Sequence, residues 1–306
     1  MPAQRGERSR GAQSGRCGIN VVRVVDELPE ARRGVAVGTF DGVHLGHLRV
    51  IDAARAAGLR TAVVTFDPHP RSVFGHDVEL LTTLERRLEL FDAAGVDDVV
   101  VLEFDETLAN LEPTEFAELI LRGMGAEVVA AGETFRFGRD RQGDLTLLER
   151  LDFDVRPVPV VETVSSSRIR ELLHAGEPDR AARLLGRPAE VEGIVVHGDG
   201  RGRELGYPTA NLDVPPGLLV PPDGVYAGWT RDRLAAISIG TNPQFDGVGR
   251  RVEAHLLDFD DDLYDQRLVV EIWSWLRGQM RFDSVEALVE QIGADVGRVR
   301  ESARPV

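Results

Sequence analysis

Short apolar runs alternate with segments of helical periodicity along the first two thirds of the chain. Each run is short and nearly continuous, which is typical of strands covered on both faces. Apolar residues recur at helical spacing between the runs, and this alternation predicts a parallel α/β sheet. The expected strands are Asn20–Val25, Val35–Gly38, Thr61–Phe66, Asp98–Leu102, Glu127–Ala131 and Val158–Val161, and the expected helices are Leu48–Ala57, Leu84–Ala94 and Thr114–Arg122.

The pattern changes beyond Gly186, Arg187 and Pro188, where apolar runs follow one another with only turn-rich segments between them. This spacing predicts a small antiparallel barrel, closed by an amphipathic helix over Ser284–Val299. The expected barrel strands are Val191–Val196, Thr209–Leu212, Val225–Thr230, Leu234–Ile239, Val252–Leu257 and Leu268–Leu276. We therefore divide the chain into a disordered extension (1–18), an α/β domain (19–186) and a barrel domain (187–306).

Two histidines lie three residues apart where the second expected strand gives way to a helix. The run is Gly38-Thr39-Phe40-Asp41-Gly42-Val43-His44-Leu45-Gly46-His47. A helix that starts near Gly46 presents free N–H groups and a positive dipole end, so both histidines lie where a phosphate would bind. The alternative is an ordinary strand-to-helix turn with exposed histidines.

Three further segments fall at the ends of expected strands, where ligands gather in parallel sheets. Phe66-Asp67-Pro68-His69-Pro70 follows the third strand, and Gly132-Glu133-Thr134-Phe135-Arg136-Phe137-Gly138 follows the fifth. Their alternatives are a rigid loop and core phenylalanines. Val164-Ser165-Ser166-Ser167-Arg168-Ile169-Arg170 opens a helix, where the serines are either a cap or a second phosphate site that includes Arg170.

The first two barrel strands are joined by a glycine-rich segment that runs from His197 to Asn211. Glycines at 198, 200 and 202 allow backbone amides to approach a phosphate closely. The segment lacks a lysine and lies between strands, so it is not a Walker-A loop. An Asn-capped turn is the alternative interpretation.

Composition narrows the function classes. The 36 basic residues are all arginines, which excludes Schiff-base, Walker-A and protein-kinase lysine chemistry. A net charge of -15 disfavours nucleic acid as a partner. A single cysteine, Cys17, permits no intrachain disulfide, and we expect a cytoplasmic protein without a membrane span.

The histidine run and the glycine-rich segment each resemble a known signature. The first is similar to the ATP-binding motif of the nucleotidylyltransferase superfamily, in particular the FMN adenylyltransferase half of bacterial bifunctional riboflavin kinase/FAD synthetases. The string from Gly200 to Leu212, with Pro208-Thr209-Ala210-Asn211 at its centre, resembles the riboflavin kinase signature. The resemblance extends over about residues 19–306 and implies a Rossmann-like domain followed by a riboflavin kinase barrel.

In the α/β domain the resemblance implies that His44, His47 and Arg170 are catalytic residues, which stabilise charge on the phosphate groups. It implies nucleotide or flavin binding by a larger set: Gly38, Phe40, Asp41, Gly46, Thr134, Ser166 and Ser167. Thr134 stands where the family usually has Asn or Asp, and Ser167 replaces a threonine and keeps the hydroxyl.

In the barrel the resemblance implies that Thr209 and Asn211 hold Mg²⁺ and that Glu253 is the base. The residues implied in nucleotide binding are Gly198, Gly200, Gly202, Arg203 and Asn242. By alternation alone Glu253 is equally a solvent-facing strand residue. Tyr264, Trp273 and Trp275 either cover a flavin ring or pack the core, and the acidic residues 258–262 indicate a solvated turn rather than a Ca²⁺ loop.

The expected function is phosphorylation of riboflavin by ATP to FMN, followed by adenylylation of FMN by a second ATP to FAD. One alternative is a riboflavin kinase whose first domain is impaired by Thr134. A more distant one is a flavin- or nucleotide-binding regulator without turnover. The expected partners are riboflavin, FMN, ATP and Mg²⁺, in a monomer or weak homo-oligomer.

Overall fold

The computed structural model describes residues 18–160, 163–198, 200–241 and 250–306. Within these residues lie a six-stranded parallel sheet and a closed six-stranded barrel, which confirms the predicted fold class. The proposed extension up to residue 17 and the proposed nucleotide-binding residue Asn242 lie outside the described residues. No helix in the described ranges is both long and apolar enough to cross a membrane.

The sheet has the strand order β1-β4-β3-β2-β5-β6, and each neighbouring pair is parallel. Its strands are β1 (Asn20–Val22), β2 (Arg33–Val37), β3 (Arg60–Asp67), β4 (Asp98–Glu103), β5 (Ala126–Gly132) and β6 (Asp154–Val158). β2 is buried along its whole length. Because β3 lies on one side of β2 and β5 on the other, the chain reverses direction across the sheet at β2, and a ligand crevice is expected at its carboxyl end.

The last strand of the sheet lies further toward the amino terminus than the sequence predicted. β6 occupies Asp154–Val158 rather than Val158–Val161, and Val158 pairs with Gly132 at the end of β5. Pairing with β5 therefore sets its limits. Pro157 is tolerated because this strand lies at the edge of the sheet, where one row of backbone groups has no partner strand.

Helices cover both faces of the sheet and lead into the second domain. They are α1 (Leu45–Arg55), α2 (Pro70–Val73), α3 (Leu84–Ala93), α4 (Glu106–Ala109), α5 (Pro113–Phe116), α6 (Leu145–Arg150), α7 (Ser166–His174) and α8 (Pro178–Leu185). α5 continues as a π-helix over Ala117–Arg122, within the helix expected for that segment. The short helices α2, α4 and α6 were not predicted, because four to six residues carry too little periodicity.

The barrel closes in the order β10-β11-β8-β7-β12-β9, with antiparallel neighbours. Its elements are β7 (Ala189–Val196), α9 (Arg201–Glu204), β8 (Ala210–Asp213), β9 (Gly224–Thr230), β10 (Arg233–Thr241), β11 (Arg250–Leu256), β12 (Arg267–Arg277) and α10 (Val285–Glu301). Alternate residues of β11, namely Val252, Ala254 and Leu256, fill the interior. Glu253 and His255 consequently face outward, as the alternation predicted.

Apolar and ionic contacts join the two domains. Leu80 pairs with Leu218, and Leu219 packs in one cluster with residues of α7 and α8. Beside this cluster, Arg86 of α3 forms two hydrogen bonds, of 3.0 and 2.6 Å, with the Glu190 carboxylate of β7. Arg267 of β12 in turn pairs with acidic residues of both domains, so α3 is held directly against the barrel.

Candidate active sites

The turn after β2 places the two histidines face to face at the start of α1. The rings of His44 and His47 stack with centroids 3.5 Å apart. Nδ1 of His44 accepts the backbone N–H of His47 at 3.3 Å, and Nδ1 of His47 accepts the backbone N–H of His44 at 3.4 Å. This reciprocal cap explains why α1 begins at Leu45, close to the start near Gly46 expected from the histidine run and three residues before the apolar periodicity begins.

Both histidines are neutral near pH 7. Burial, with smaller contributions from Arg187 and Arg170, lowers the pKa of His44 to about 4. Burial also lowers the pKa of His47 well below its usual value, assisted by repulsion from His44, Arg87 and Arg187. Because each Nδ1 accepts a hydrogen bond, each neutral ring carries its proton on Nε2. The pair therefore offers two N–H donors without a formal charge.

The backbone of this turn adopts conformations that are unusual for bulky residues. Phe40 has φ +52° and Val43 has φ +37°, both in the left-handed region. Such conformations cost free energy and are concentrated at functional sites. Gly46 leaves the space that the His44 ring occupies, since a Cβ at residue 46 would lie 3.1 Å from that ring.

The start of α7 lies beside the histidine turn. Ser165 caps this helix, and the Ser166 hydroxyl donates to the backbone carbonyl of Asp41 at 2.9 Å. Arg170 binds the Asp41 carboxylate with Nη2 and the Glu79 carbonyl with Nε. Ser167 is exposed at the first turn. Two helix N-termini thus converge at one place, which is a favourable environment for phosphate groups.

Asp41 holds this arrangement together and does not line the cavity described next. It is 1% exposed, and its carboxylate accepts the backbone N–H groups of Leu81 and Thr82 in addition to Arg170. Arg170 is likewise absent from the cavity wall and is held by Asp41. The contacts of these two residues therefore hold the turn before α1 against residues 79–82 and against α7.

A cavity of about 900 Å³ opens at the carboxyl ends of the strands, as the parallel sheet predicted. Six of the predicted site residues line it: Gly38, Phe40, His44, Gly46, His47 and Thr134. Thr134 is exposed at its wall. The volume is within the range of small-molecule sites, and an apolar wall with few polar groups is typical of them.

Aromatic side chains that the sequence did not single out form much of this wall. Phe74 and Phe104 make an edge-to-face contact with centroids 6.0 Å apart, and Phe74 is 63% exposed. Phe135 and Phe137, from the predicted segment, also line the cavity and stack with centroids 5.5 Å apart. Phe104 directly follows β4, so its place at the carboxyl edge was the signal that could have revealed it.

The second site lies outside the barrel, where the glycine-rich segment meets β8. Asn211 is 9% exposed, and its Oδ1 is buried without a hydrogen-bond partner in the described part of the chain. A Cβ at Gly198 would lie 2.3 Å from Asn211 Nδ2, so any larger residue at 198 would require this amide to move. A Cβ at Gly202 would lie 2.4 Å from the Tyr207 carbonyl and 3.5 Å from Thr209 Oγ1.

These contacts gather four of the residues predicted for the barrel site, namely Gly198, Gly202, Thr209 and Asn211. Gly200 has φ +74°, a conformation that favours glycine, and Arg203 is exposed on α9. No group of three or more His, Cys, Asp or Glu side chains in the described ranges is arranged to hold a metal ion. The candidate metal donors here are amide and hydroxyl oxygens.

Glu253 lies directly across the strand pair from Asn211. The two residues are partners in the β8–β11 register, and both face away from the barrel interior. Arg251 Nη1 lies 3.3 Å from Glu253 Oε1, and the glutamate side chain is 29% exposed. His255, two residues further along, donates from Nδ1 to the Pro208 carbonyl at 2.8 Å and so ties β11 to the glycine-rich segment.

The other aromatic and acidic candidates have structural partners. Trp273 is buried, stacks on Trp229 at 6.0 Å and donates to Glu271. Tyr264 packs on the ring of His197 at the glycine-rich segment. Asp258 forms two hydrogen bonds with Arg300 of α10, which lower the pKa of the carboxyl. The acidic turn therefore helps to fasten the closing helix.

Two family models match the chain, one in each domain. The FAD synthetase model matches residues 28–170, and the riboflavin kinase model matches residues 185–303. A crystal structure described as a macrolide-efflux protein from Streptococcus pneumoniae has a TM-score of 0.83 and 31% identity, and the match covers 94% of this chain and 100% of that one. That description applies to the pneumococcal protein, and the structural likeness extends across both domains.

Curated relatives match over nearly their whole length. The bifunctional riboflavin kinase/FMN adenylyltransferase of Pseudomonas fluorescens is 38% identical, with 94% of this chain and 99% of the relative covered. The enzyme of the same name from Listeria monocytogenes is 36% identical, with coverages of 88% and 92%. On these matches and both domain models, the chain belongs to the family of bifunctional riboflavin kinase/FMN adenylyltransferases.

Proposed function

We propose that the chain makes FMN at the barrel and FAD at the sheet. The observation that carries this proposal is the presence of two separate and chemically different sites. One is a cavity with neutral histidines at paired helix N-termini, and the other is an unpartnered buried oxygen beside a glutamate.

At the barrel, ATP donates its γ-phosphoryl group to a hydroxyl of the ribityl chain of riboflavin. Glu253 accepts the hydroxyl proton, the oxygen forms a bond to the γ-phosphorus, and ADP leaves. Gly198 and Gly202 leave space for the approach of the nucleotide phosphates. Arg251 lies 3.3 Å from the Glu253 carboxylate and orients it across from Asn211.

The donor set around Asn211 fits Mg²⁺. Mg²⁺ prefers oxygen ligands and keeps several waters and phosphate oxygens in its shell, so a site with few protein ligands suits it. Asn211 Oδ1 is buried without a partner among the described residues, and an acceptor in that state is costly unless a ligand satisfies it. Thr209 Oγ1 is the second ligand that we propose. When bound, the ion neutralises charge on the transferred phosphoryl group.

At the sheet, a phosphate oxygen of FMN attacks the α-phosphorus of a second ATP. The bond to the bridging oxygen breaks, and pyrophosphate leaves with the electron pair. The Nε2–H groups of His44 and His47, together with the N-termini of α1 and α7, donate to the phosphate oxygens. Ser166 and Ser167 lie in the first turn of α7, and the aromatic wall is suited to an isoalloxazine ring.

We further propose that the protein acts in the cytoplasm. ATP and riboflavin are its proposed substrates, and a chain with one cysteine does not depend on an oxidising compartment for an intrachain disulfide.

A chromatographic time course with riboflavin, ATP and Mg²⁺ tests both activities. FMN should form first and FAD should follow, and omission of Mg²⁺ should stop the first step. FMN that accumulates without FAD would overturn the role of the sheet domain and identify a kinase with an impaired adenylyltransferase. Absence of both products would overturn the proposal as a whole.

A further inference from the structure

Two arginine side chains are almost completely buried in the described part of the sheet domain, and only Arg33 forms an ion pair there, with a carboxylate that Arg60 also binds. Arg33 is 1% exposed and Arg87 is 2% exposed. Arg33, at the amino end of β2, donates from Nε to the fully buried Asp98 carboxylate at 2.9 Å. Arg87, on α3, has no ion pair with any described residue.

Arg87 instead binds neutral oxygens at the carboxyl ends of the central strands. Its Nη1 donates to the Thr39 carbonyl at 2.8 Å, to Thr65 Oγ1 at 3.3 Å and to the Phe66 carbonyl at 3.3 Å. Its Nε is buried without a hydrogen-bond partner among the described residues. Thr39 and Phe66 line the cavity, so the guanidinium lies directly behind the cavity floor.

The carboxylates that influence Arg87 are Asp41 and Asp67, and both have an arginine of their own. Asp41 is paired with Arg170, and Asp67 lies 3.8 Å from Arg23. Among the described residues, both carboxylates act on Arg87 from a distance and neither forms an ion pair with it. A buried charge without an ion pair lowers stability unless a group of opposite charge binds nearby. ATP and FMN, the ligands proposed for this cavity, carry several negative charges.

We propose that Arg87 is an electrostatic positioning residue for adenylyl transfer, which fixes the cavity floor and stabilises the negative charge of the phosphates bound above it. It acts through the Thr39 and Phe66 carbonyls and does not touch substrate. Negative charge grows on the leaving pyrophosphate as the bond to the α-phosphorus breaks, and a fixed cation in a low-dielectric interior favours that change. This inference rests on the adenylyl transfer proposed above.

Three variants test it, with FAD formation from supplied FMN as the readout. We expect Arg87→Gln to lower kcat about 30-fold, because one preorganised charge is lost, with KM for FMN within about twofold. Arg87→Lys keeps the charge and should stay within about fivefold of the unchanged chain. Arg33→Lys, at the buried arginine that is ion-paired with Asp98 and lies away from the cavity, should lower thermal stability and leave kcat unchanged. FMN formation at the barrel should persist in all three.

A second readout separates charge from packing. The positive charge of Arg87 opposes protonation of His47 and so lowers the pKa of this histidine. His44 and Arg187 also lower the pKa of His47, and Arg187 and Arg170 lower that of His44. Removal of the Arg87 charge therefore raises the pKa of His47. The acid limb of the kcat profile should move to higher pH in Arg87→Gln and stay in place in Arg87→Lys and Arg33→Lys.

The inference is overturned if Arg87→Gln keeps kcat within about threefold, if its acid limb does not move, or if both Arg87 variants are equally impaired. Should Arg87→Gln not fold, the lysine variant decides: a folded Arg87→Lys protein that loses more than about 30-fold in kcat contradicts a role based on charge. Absence of FAD with the unchanged chain would instead mean that the proposed function fails.

Discussion

The two proposed phosphate sites differ in the groups that they offer. In the sheet domain the donors are neutral histidine N–H groups and helix N-termini, with arginines held behind the cavity wall. At the barrel an amide oxygen without a partner in the described ranges and a glutamate lie on neighbouring strands, and glycines leave space beside the amide. In our proposal the first site is built from the fold itself, whereas a metal ion completes the second. Each can therefore be disabled without the other.

The largest expected effect is loss of FMN formation in Glu253→Gln. The amide cannot accept the ribityl proton, and loss of a general base typically lowers kcat by about 10²- to 10⁴-fold. FAD formation from supplied FMN should not change, because Glu253 lies on the barrel. Rates from both substrates in one preparation measure this. Unchanged FMN formation would remove Glu253 from the chemistry.

His47→Asn should impair FAD formation and leave FMN formation intact, the reverse of Glu253→Gln. Asparagine can still accept the backbone N–H of His44 but does not place a donor at the position of Nε2, so kcat for FAD formation should fall by about 10²- to 10³-fold. FMN formation should continue. The two variants mixed together should convert riboflavin to FAD through released FMN, and failure of the mixture would contradict independent sites.

Asn211→Leu tests the proposed metal site and should have a smaller effect than the two variants above. The isosteric change removes the unpartnered oxygen, so the Mg²⁺ concentration for half-maximal FMN formation should rise about tenfold. Thermal stability should be equal or higher, because a buried acceptor without a partner no longer opposes folding. Ala210→Gly, at the next position of the same strand, is the control and should show the reverse: lower stability with the same Mg²⁺ dependence. A less stable Asn211→Leu protein would show that the amide contributes to folding.

The smallest effect is the pH dependence of folding that His44 causes. Its pKa is about 4 in the folded protein and near 6.5 when unfolded, so the unfolded chain binds more protons between these values and stability falls as pH decreases. The share from His44 between pH 7 and pH 5.5 should be about 1 kcal/mol. Urea unfolding at both pH values measures the change in the free energy of unfolding. This change should be smaller by about 1 kcal/mol in His44→Asn, which keeps a side chain able to cap α1. An unchanged dependence would place the effect elsewhere.

Much of the architecture followed from the pattern of apolar residues. Continuous runs separated by helical segments predicted the parallel sheet, and closely spaced runs predicted the barrel, because periodicity and turn spacing are local properties. The limits of β6 were wrong, since pairing with β5 at Gly132 sets them. Domain limits and the roles of site residues remain predictions for the experiments above.

The sequence by itself determined the order of strands and helices and predicted candidate phosphate-binding residues, because histidines, serines and glycines at the end of a strand can be recognised from chain order alone. It could not show that Asp41 and Arg170 hold each other, since that contact joins residues 129 positions apart. Nor could it distinguish Arg33 from Arg87, two arginines of equal burial. Only the tertiary structure places one beside Asp98 and the other behind the cavity floor, because charge compensation depends on distances that chain order does not fix.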